Sequence, residues 1–278
     1  MSASTDWASN LAAAGVDAMT AYDEILVPRV FDPFADVLLD EVGVSPGLEV
    51  LDIACGPGTV ARRVAQRLGP EGRVTACDLS PAMLEVAAAK PAQDTAAPIT
   101  YRQCPADELD VPDGAFDLVL CQQGLQFFPD RLGALAEMRR VLKPGGRAGV
   151  AVWCAIEECP FWDALASAVG DVLGKDAEIG FRSGPWGLPE ADELARLFDT
   201  ADFGDVSVIR RVLPAVFEGG PAQLVSTLPA ASVGPQIVAL DADGRSALLA
   251  AAEAALAPFK YDGELHSEAA THIVLAAR

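Results

Sequence analysis

The chain has 278 residues, enough to bury a full core, and 51% of them are hydrophobic. Asp and Glu outnumber Lys and Arg by 40 to 20, which gives a formal net charge of −20. Binding of nucleic acid requires a basic surface that neutralises phosphates, so this composition argues against a nucleic-acid partner. The longest uncharged apolar run, residues 148–156, is too short to cross a bilayer, which argues against a membrane protein.

The chain begins Met-Ser-Ala-Ser-Thr-Asp, which lacks the basic region and apolar core of a signal peptide. We therefore expect a cytoplasmic protein with reduced cysteines. The six cysteines form no Cys-x-x-Cys pair and no zinc-ligand spacing, so the sequence predicts no metal site. They are Cys55, Cys77, Cys104, Cys121, Cys154 and Cys159.

An amphipathic helical region is predicted over residues 7–42. From there to residue 153, short apolar runs alternate with helical patterns, which is typical of a parallel sheet covered by helices. The predicted strands are residues 48–54, 73–77, 99–104, 116–121 and 147–153. Predicted helices cover residues 59–68 and 131–142, and another begins at Ser80-Pro81, where proline takes its favoured first helical position. Lys143-Pro144-Gly145-Gly146 is a strong helix-stop signal.

The pattern changes after residue 153. Helices are predicted over residues 161–174 and 190–200, a long strand over 206–217, further helices over 219–257 and a final strand over 271–277. We interpret the chain as a single domain. Its predicted parts are a helical cover (1–45), a core that binds the cofactor (46–217), a helical lid insert (218–267) and a final strand (268–278).

A glycine-rich turn, Gly56-Pro57-Gly58, separates the first predicted strand from the first helix of the alternating region. Such a turn lets backbone amides approach a ligand closely. Asp78 follows Gly58 by 20 residues, at the end of the second predicted strand, where a carboxylate can accept hydrogen bonds from ribose hydroxyls. This pair of features fits any cofactor that contains adenosine, including a nicotinamide dinucleotide.

Four ordered motifs narrow the choice. They are residues 50–58 (Val-Leu-Asp-Ile-Ala-Cys-Gly-Pro-Gly), 78–83 (Asp-Leu-Ser-Pro-Ala-Met), 116–119 (Phe-Asp-Leu-Val) and 140–146 (Arg-Val-Leu-Lys-Pro-Gly-Gly). Together they resemble the class I S-adenosylmethionine-dependent methyltransferases, in the branch of the ubiquinone and menaquinone methylases and of small-molecule methyltransferases of bacterial secondary metabolism. The resemblance implies a doubly wound α/β fold, a seven-stranded Rossmann-like sheet with its last strand antiparallel, and S-adenosyl-L-methionine as the cofactor.

The resemblance also implies roles for residues of the glycine loop. Asp52 would orient the loop and lie near the amino group of the cofactor. The backbone of Ala54 and Gly56 would face the methionine portion, and Gly58 would permit the turn. The family often has glycine where Ala54 stands, a small departure because the backbone makes the contact.

Residues after the second and third strands would hold the adenosine. By the same resemblance Asp78 would bind the ribose, Leu79 and Met83 would enclose the adenine, and Ala106 and Asp107 would meet its edge. The family often places an aspartate where Pro105 stands, or one position later, so the register of Asp107 departs from the usual pattern.

The methyl-transfer end of the cofactor would be bordered by Cys121 and Gln122, and Tyr22 would close over the site. Gln126 and Phe127 are candidate substrate contacts. Relatives commonly carry histidine where Gln126 stands, so no base is assigned there.

Histidine is the natural proton acceptor near neutral pH, and the chain has only His266 and His272. His266 precedes the final predicted strand, on the cofactor side of the family fold. Our hypothesis is that His266 assists deprotonation of the substrate.

Aromatic residues in the N-terminal region and in the segment after the fifth predicted strand predict a hydrophobic acceptor pocket. They are Trp7, Tyr22, Phe31, Phe34, Phe161, Trp162, Phe181 and Trp186, above a floor formed by residues 125–128. Five cysteines fall at or near predicted strand ends, which suits either a soft substrate such as arsenite or, as we favour, small residues where strands bend into loops.

The sequence favours methyl transfer to a small hydrophobic molecule, at oxygen rather than at carbon or nitrogen. An Asn/Asp-Pro-Pro-Tyr element, expected for amide or nucleobase nitrogen targets, is absent after the fourth predicted strand. Two alternatives stay open: a protein of the same fold that binds the cofactor without methylating, such as a cyclase, and a nicotinamide-dependent oxidoreductase. The sequence leaves the oligomeric state open, with a homodimer as one alternative.

Overall fold

The structure is a computed structural model that describes residues 15–278. Its strands are β1 (Glu49–Ile53), β2 (Arg73–Asp78), β3 (Ile99–Gln103), β4 (Phe116–Gln122), β5 (Leu142–Trp153), β6 (Gly204–Phe217), β7 (Lys260–Tyr261) and β8 (Glu264–Ala277). Its α-helices are α1 (Val16–Ala21), α2 (Asp32–Val42), α3 (Thr59–Leu68), α4 (Pro81–Ala89), α5 (Arg131–Val141), α6 (Pro160–Leu173), α7 (Lys175–Ser183), α8 (Ala191–Thr200), α9 (Gly220–Val225), α10 (Gly234–Val238) and α11 (Ala242–Leu256). A π-helical segment, Tyr22–Phe31, joins α1 to α2, and single 3-10 turns cover Leu125–Phe127, Ile156–Glu158, Leu228–Ala230 and Ala257–Phe259.

The strands form one mixed sheet in the order β3-β2-β1-β4-β5-β8-β6, with β7 paired to β8. Strands β1 to β5 are parallel to one another, and β8 runs antiparallel to both β5 and β6. The predicted Rossmann-like sheet with an antiparallel last strand is confirmed. The short β7 adds an eighth strand, and Asp262 and Gly263 with positive φ turn it back onto β8.

The sheet reverses its winding direction between β1 and β4. The chain moves outward from β1 through β2 to β3 on one side, and from β4 to β5 on the other. In open α/β sheets, ligands bind at this switch point, outside the carboxyl ends of the strands. The glycine-rich turn follows β1 directly, so the fold places it at the switch point.

The last strand is longer than predicted, because it begins at Glu264 rather than at residue 271. Residues 265–270 extend beyond the end of β5 and pair with β6, and Leu265 also pairs with Lys260 of β7. In this extension Leu265 and Ala269 are buried, whereas His266 and Glu268 are exposed. A search for a continuous apolar run misses this alternation.

The amino-terminal helical region is interrupted by Pro28, which lies inside the π-helical segment. Proline has no N–H to donate, and its ring clashes with the preceding turn of an α-helix, whereas a π-helical turn is wider. The Arg29 guanidinium donates to the carbonyls of Ile25 and Glu24 at 3.0 and 3.4 Å, which satisfies acceptors in this turn. The described part of the predicted cover is helical; Trp7 lies outside the described residues.

The residues between β6 and β8 form an insert of short helices that packs on α6 and on the extension of β8. Leu224, Leu248 and Leu256 of the insert share a buried cluster with Phe161 and Leu265. Two further clusters fill the two faces of the sheet. Within residues 15–278, no helix is long and apolar enough to span a membrane. The division of the chain into four parts stays a prediction.

Candidate active site

A cavity of about 330 Å³ opens at the carboxyl ends of β1, β2 and β4. This volume lies within the range of small-molecule sites. Most of the residues predicted to bind the cofactor or the substrate contribute to its lining. These are Tyr22, Asp52, Ala54, Gly56, Asp78, Leu79, Met83, Ala106, Asp107, Gln122 and Phe127. The structure thus brings together residues of the motifs 50–58 and 78–83 with Tyr22 and with residues at or after the ends of β3 and β4, while their contacts with a bound cofactor stay a prediction.

Three residues of the glycine loop (residues 54–58) have a left-handed backbone conformation. Gly56 and Gly58 have φ of 53° and 82°, and the non-glycine Ala54 has φ of 55°. A left-handed residue with a Cβ costs about 1–2 kcal/mol, so the alanine at this position carries strain that glycine would not. Gly124, after β4, approaches this residue so closely that a Cβ on it would lie 2.7 Å from that of Ala54. Alanine in place of the glycine that the family often has at position 54 therefore adds backbone strain as well as a methyl group.

Gly58 begins α3 and has no room for a side chain. A Cβ there would lie 2.9 Å from the Tyr101 hydroxyl and 3.4 Å from the Ala87 Cβ. We expect Gly58→Ala to lower the free energy of unfolding by about 2 kcal/mol, because it adds this crowding to a positive φ. Urea denaturation measures the effect. Combining the change with Tyr101→Phe should recover part of the loss, since the buried hydroxyl has no hydrogen-bond partner within residues 15–278 and is the atom that clashes. No recovery would show that the φ strain alone accounts for the loss.

Asp78 ties the glycine loop to the end of β2. Its Oδ2 accepts from the Gly56 amide and its Oδ1 from the Ser80 amide, both at 2.8 Å. The side chain is buried, and burial raises the pKa of Asp78 while these backbone amides offset part of the effect. The carboxylate thus fixes the loop and at the same time contributes to the lining of the cavity.

Asp52 is the most deeply buried acidic residue of the lining, with 1% of its surface exposed. Neither carboxylate oxygen makes a hydrogen bond within residues 15–278. Burial raises the pKa of Asp52 to about 8; the backbone amide of Ala61 offsets part of this, and the Asp78 charge adds to it. Because a nearby positive charge lowers the pKa of a carboxyl group, a cationic ligand would favour loss of this proton.

The π-helical segment covers the cavity from above. Tyr22 packs against Phe31 with ring centroids 5.1 Å apart, and Phe31 meets the edge of Trp153 at 6.0 Å. The Gln122 amide donates to the Phe31 carbonyl at 2.9 Å, which fixes the segment to the end of β4. Burial and the charges of Asp78 and Asp23 raise the pKa of Tyr22, so its hydroxyl stays protonated.

The part of the cavity lined by Trp162 of α6, Phe181 of α7 and Trp186 is aromatic; this aromatic half is the predicted acceptor half. Trp186 lies 6.1 Å from Trp162 and 5.8 Å from Phe181, measured between ring centroids. Thr227, Ala230 and Ala231 of the insert also line the cavity. The only charged lining residues in the described part of the chain are Asp52, Asp78 and Asp107; the lining includes no lysine, arginine or histidine.

Several predicted site residues lie outside the lining. Gly58 shapes the loop from behind, and Cys121 is fully buried beneath it. Gln126 is buried and donates to the Gln123 Oε1 at 3.3 Å. Of the predicted pocket side chains, Phe34, Phe161 and Leu125 belong to the core instead.

His266, the predicted base, does not contribute to the described lining of the cavity, and its role stays a prediction. Its side chain is 44% exposed and bonds to Glu264 at 2.9 Å, away from the cavity. The strand alternates, so Leu265 faces the core and His266 faces outward. His272 lies within β8 and burial lowers its pKa, but it does not line the cavity either. Neither histidine therefore lies among the residues that line the cavity in the described part of the chain.

Gln123 and Trp153 are among the lining residues that the sequence did not single out. Gln123 has φ of 56°, and its side chain donates to the Thr271 hydroxyl at 3.0 Å. Trp153 stands at the end of β5, where it packs against Phe31 and Phe34. The strand-end position was the available signal for both, since the predicted fourth and fifth strands end at or next to these residues.

The six cysteines are all buried and free. Cys55 and Cys104 line the cavity, but residues 15–278 contain no group of three or more His, Cys, Asp or Glu side chains that could hold a metal ion. The described residues therefore contain no preformed thiol ligand set for a soft metal substrate.

Comparison with known proteins points to one family. Residues 50–146 match the model of a methyltransferase domain. The chain is 36% identical over 149 residues to the ubiquinone/menaquinone biosynthesis C-methyltransferase UbiE of Burkholderia orbicola, covering 50% of this chain and 59% of that protein. It is 32% identical over 184 residues to the demethylmenaquinone methyltransferase of Staphylococcus aureus, covering 62% of this chain and 74% of that protein.

Solved structures show the same fold at lower identity. A methyltransferase-like protein of Bacillus halodurans has a TM-score of 0.55 at 19% identity, with 87% of this chain and 97% of that chain covered. The Haemonchus contortus phosphoethanolamine N-methyltransferase 2 in complex with S-adenosyl-L-methionine has a TM-score of 0.58 at 18% identity, with 94% of this chain and 56% of that chain covered.

Proposed function

Because the chain belongs to the class I S-adenosylmethionine-dependent methyltransferases, we propose that it transfers a methyl group to a small hydrophobic molecule. S-adenosyl-L-methionine is the cofactor, and its sulfonium supplies a methyl carbon activated for in-line attack. The buried Asp52 and the loop-binding Asp78 fit this cofactor, because an unpartnered carboxylate suits its positive charge and an anchored one suits its ribose. The remaining contribution of the protein is to hold the acceptor in line.

The aromatic half of the cavity supports a neutral acceptor. Its walls are aromatic and apolar, and the lining within residues 15–278 carries three carboxylates and no cationic side chain. A phosphate or carboxylate on the acceptor would be desolvated there without a positive partner, which is costly. This is the observation that carries the proposal.

The composition of the described lining also restricts the chemical class of the acceptor. No histidine or lysine lines the described cavity, and burial keeps Tyr22 protonated. Because the Asp52, Asp78 and Asp107 carboxylates are all assigned to the cofactor, we propose an acceptor that ionises without a dedicated base, as phenols and enols do, or one that is nucleophilic already. We propose methylation at oxygen, the atom that carries most of the charge in such an anion. Methylation at carbon is the second candidate, because the similar UbiE of Burkholderia orbicola is named a C-methyltransferase.

The test uses the purified chain with S-adenosyl-L-methionine carrying a trideuterated methyl group. A panel of phenols and enols is matched to analogues that differ only by an added carboxylate or phosphate. Mass spectrometry detects transfer, and NMR of the product separates O-methyl from C-methyl. Preference for the anionic analogues would contradict a neutral acceptor. Binding of NADH in place of S-adenosylmethionine, measured by calorimetry, would contradict the function itself.

A larger side chain at Ala231 should reduce the volume of the acceptor half of the cavity without reaching the cofactor half. Ala231 lies in the insert, packs against the buried cluster that contains Phe181 and Trp186, and lines the cavity. We expect Ala231→Phe to raise the acceptor KM about tenfold and to leave S-adenosylmethionine affinity within about twofold. Ala254→Phe, on the exposed face of α11 in the same insert, is the matched control. Equal losses of acceptor and cofactor binding would place Ala231 at the cofactor instead.

A further inference from the structure

Lys90 lies outside the cavity lining and joins three elements that surround it. Its Nζ is 2.6 Å from the Asp23 Oδ1 and donates to the Pro57 carbonyl at 2.8 Å. Lys90 itself directly follows α4, where the carboxyl end of the helix favours a cation. One ammonium group therefore links the π-helical segment, the glycine loop and the end of α4.

The partners of Lys90 are adjacent to residues that line the cavity. Asp23 follows Tyr22, and Pro57 is the middle residue of the glycine turn. The ion pair is largely shielded from water, because the side chains of Lys90 and Asp23 are only 23% and 16% exposed. Such a pair is worth more than an exposed surface pair, and losing the lysine would leave both the carboxylate and the carbonyl without this donor.

The π-helical segment has a second attachment at its other end, where the Gln122 amide bonds to the Phe31 carbonyl. Leu26 and Val30 lie between the two attachments, Tyr22 directly precedes the first and Phe31 carries the second; all four residues line the cavity. The segment thus has an attachment on each side of the cavity, and near its second end Arg29 also pairs with Glu218 at 2.7 Å. Releasing the Lys90 side would free the end that carries Tyr22.

We propose that Lys90 is a positioning residue that holds the cover closed on the bound cofactor and keeps the glycine loop in its binding conformation. It touches neither the acceptor half of the cavity nor the predicted site of methyl transfer. Its loss should therefore speed cofactor release and weaken cofactor binding, while acceptor binding and the rate of methyl transfer at saturating cofactor change little. The inference depends on the proposed function only through cofactor binding.

The test measures binding of S-adenosylmethionine and S-adenosylhomocysteine to Lys90→Met without any acceptor. We expect Kd to rise about five- to tenfold, mainly through a faster dissociation rate in stopped-flow experiments. Lys90→Arg should recover most of the affinity, because a guanidinium can also reach both oxygens. In turnover assays the KM for S-adenosylmethionine should rise while kcat stays within about twofold.

Lys143→Met is the matched control. Lys143 pairs with Asp117 at 2.8 Å and is also partly buried, but it lies at the amino ends of β4 and β5, opposite the cavity. Its loss should leave the cofactor Kd unchanged.

The outcomes distinguish a failure of the proposed function from a failure of the inference about Lys90. If the unaltered chain does not bind S-adenosylmethionine, the proposed function fails. If it binds, and Lys90→Met binds with the same Kd and dissociation rate, the inference fails. Equal cofactor weakening in Lys90→Met and Lys143→Met, with equal losses of thermal stability, would also overturn it, because the effect would then be one of stability alone.

Discussion

Asp78→Asn should weaken S-adenosylmethionine binding by about 100-fold or more while the chain stays folded. The aspartate accepts one backbone amide with each oxygen, from Gly56 and from Ser80. An asparagine would turn its NH₂ group toward one of these N–H donors, so two donors would face each other. The loop would lose its fixed position, and the predicted ribose contact would be lost with it. Isothermal titration calorimetry measures the affinity.

Asp117→Asn is the matched control for this change. Asp117 also accepts a backbone amide, from Glu49 at 2.9 Å, and pairs with Lys143, but at the opposite edge of the sheet. We expect it to lower the free energy of unfolding by about 1–2 kcal/mol and to leave cofactor affinity unaltered. If Asp78→Asn bound the cofactor as tightly as the unaltered chain, with an intact near-ultraviolet circular dichroism spectrum, the assignment of Asp78 would be wrong.

The central sheet could be predicted from the sequence because its signals are local. The strands β1 to β4 are short apolar runs bounded by turn residues, and the predicted bounds differ from the structure by at most one residue at either end. The predicted helix over 59–68 coincides with α3, since a glycine precedes it and a glycine follows it. Strand β5 begins earlier than predicted because Leu142 already pairs with Phe116. The glycine loop and Asp78 follow from the same local patterns.

The features that could not be predicted depend on tertiary context. His266 faces outward because the last strand begins at Glu264 and alternates from there, and an apolar-run criterion cannot locate that start. The π-helical turn around Pro28 comes with hydrogen bonds from the Arg29 side chain to the Ile25 and Glu24 carbonyls, which no local sequence pattern indicates. Lys90 is unremarkable in the sequence, because its partners Asp23 and Pro57 are 67 and 33 residues away.

Asp52→Asn should make the chain more stable than the unaltered protein at pH 8. It should also remove the part of the pH dependence of stability that arises from titration of Asp52. In the folded chain the pKa of Asp52 is raised to about 8, chiefly by burial, whereas in an unfolded chain it is about 3.9. Below about pH 4 both states are protonated and the group contributes no penalty. As pH rises toward 8, the unfolded chain ionises Asp52 while the folded chain keeps its proton, so stability is lost across this window.

Urea denaturation at pH 5, 6, 7 and 8 measures the effect as the difference between Asp52→Asn and the unaltered chain. We expect this difference to grow in favour of the variant by on the order of 2–4 kcal/mol from pH 5 to pH 8. Taking the difference isolates Asp52 from other titrating groups, such as His272, whose lowered pKa acts in the opposite direction. A constant difference across this range would mean that Asp52 is ionised in the folded chain.

The same buried proton should also report on the cofactor. S-adenosylmethionine brings a positive sulfonium and a positive amino group, and a positive charge near Asp52 favours its ionised form. Binding near pH 7 should therefore release a proton, seen as a binding enthalpy that changes with the ionisation enthalpy of the buffer. Asp52→Asn should reduce this release, and S-adenosylhomocysteine, which lacks the sulfonium charge, should cause less of it. Equal proton release by the two ligands would assign the effect to the amino group, whereas equal release in Asp52→Asn and the unaltered chain would assign it to another residue.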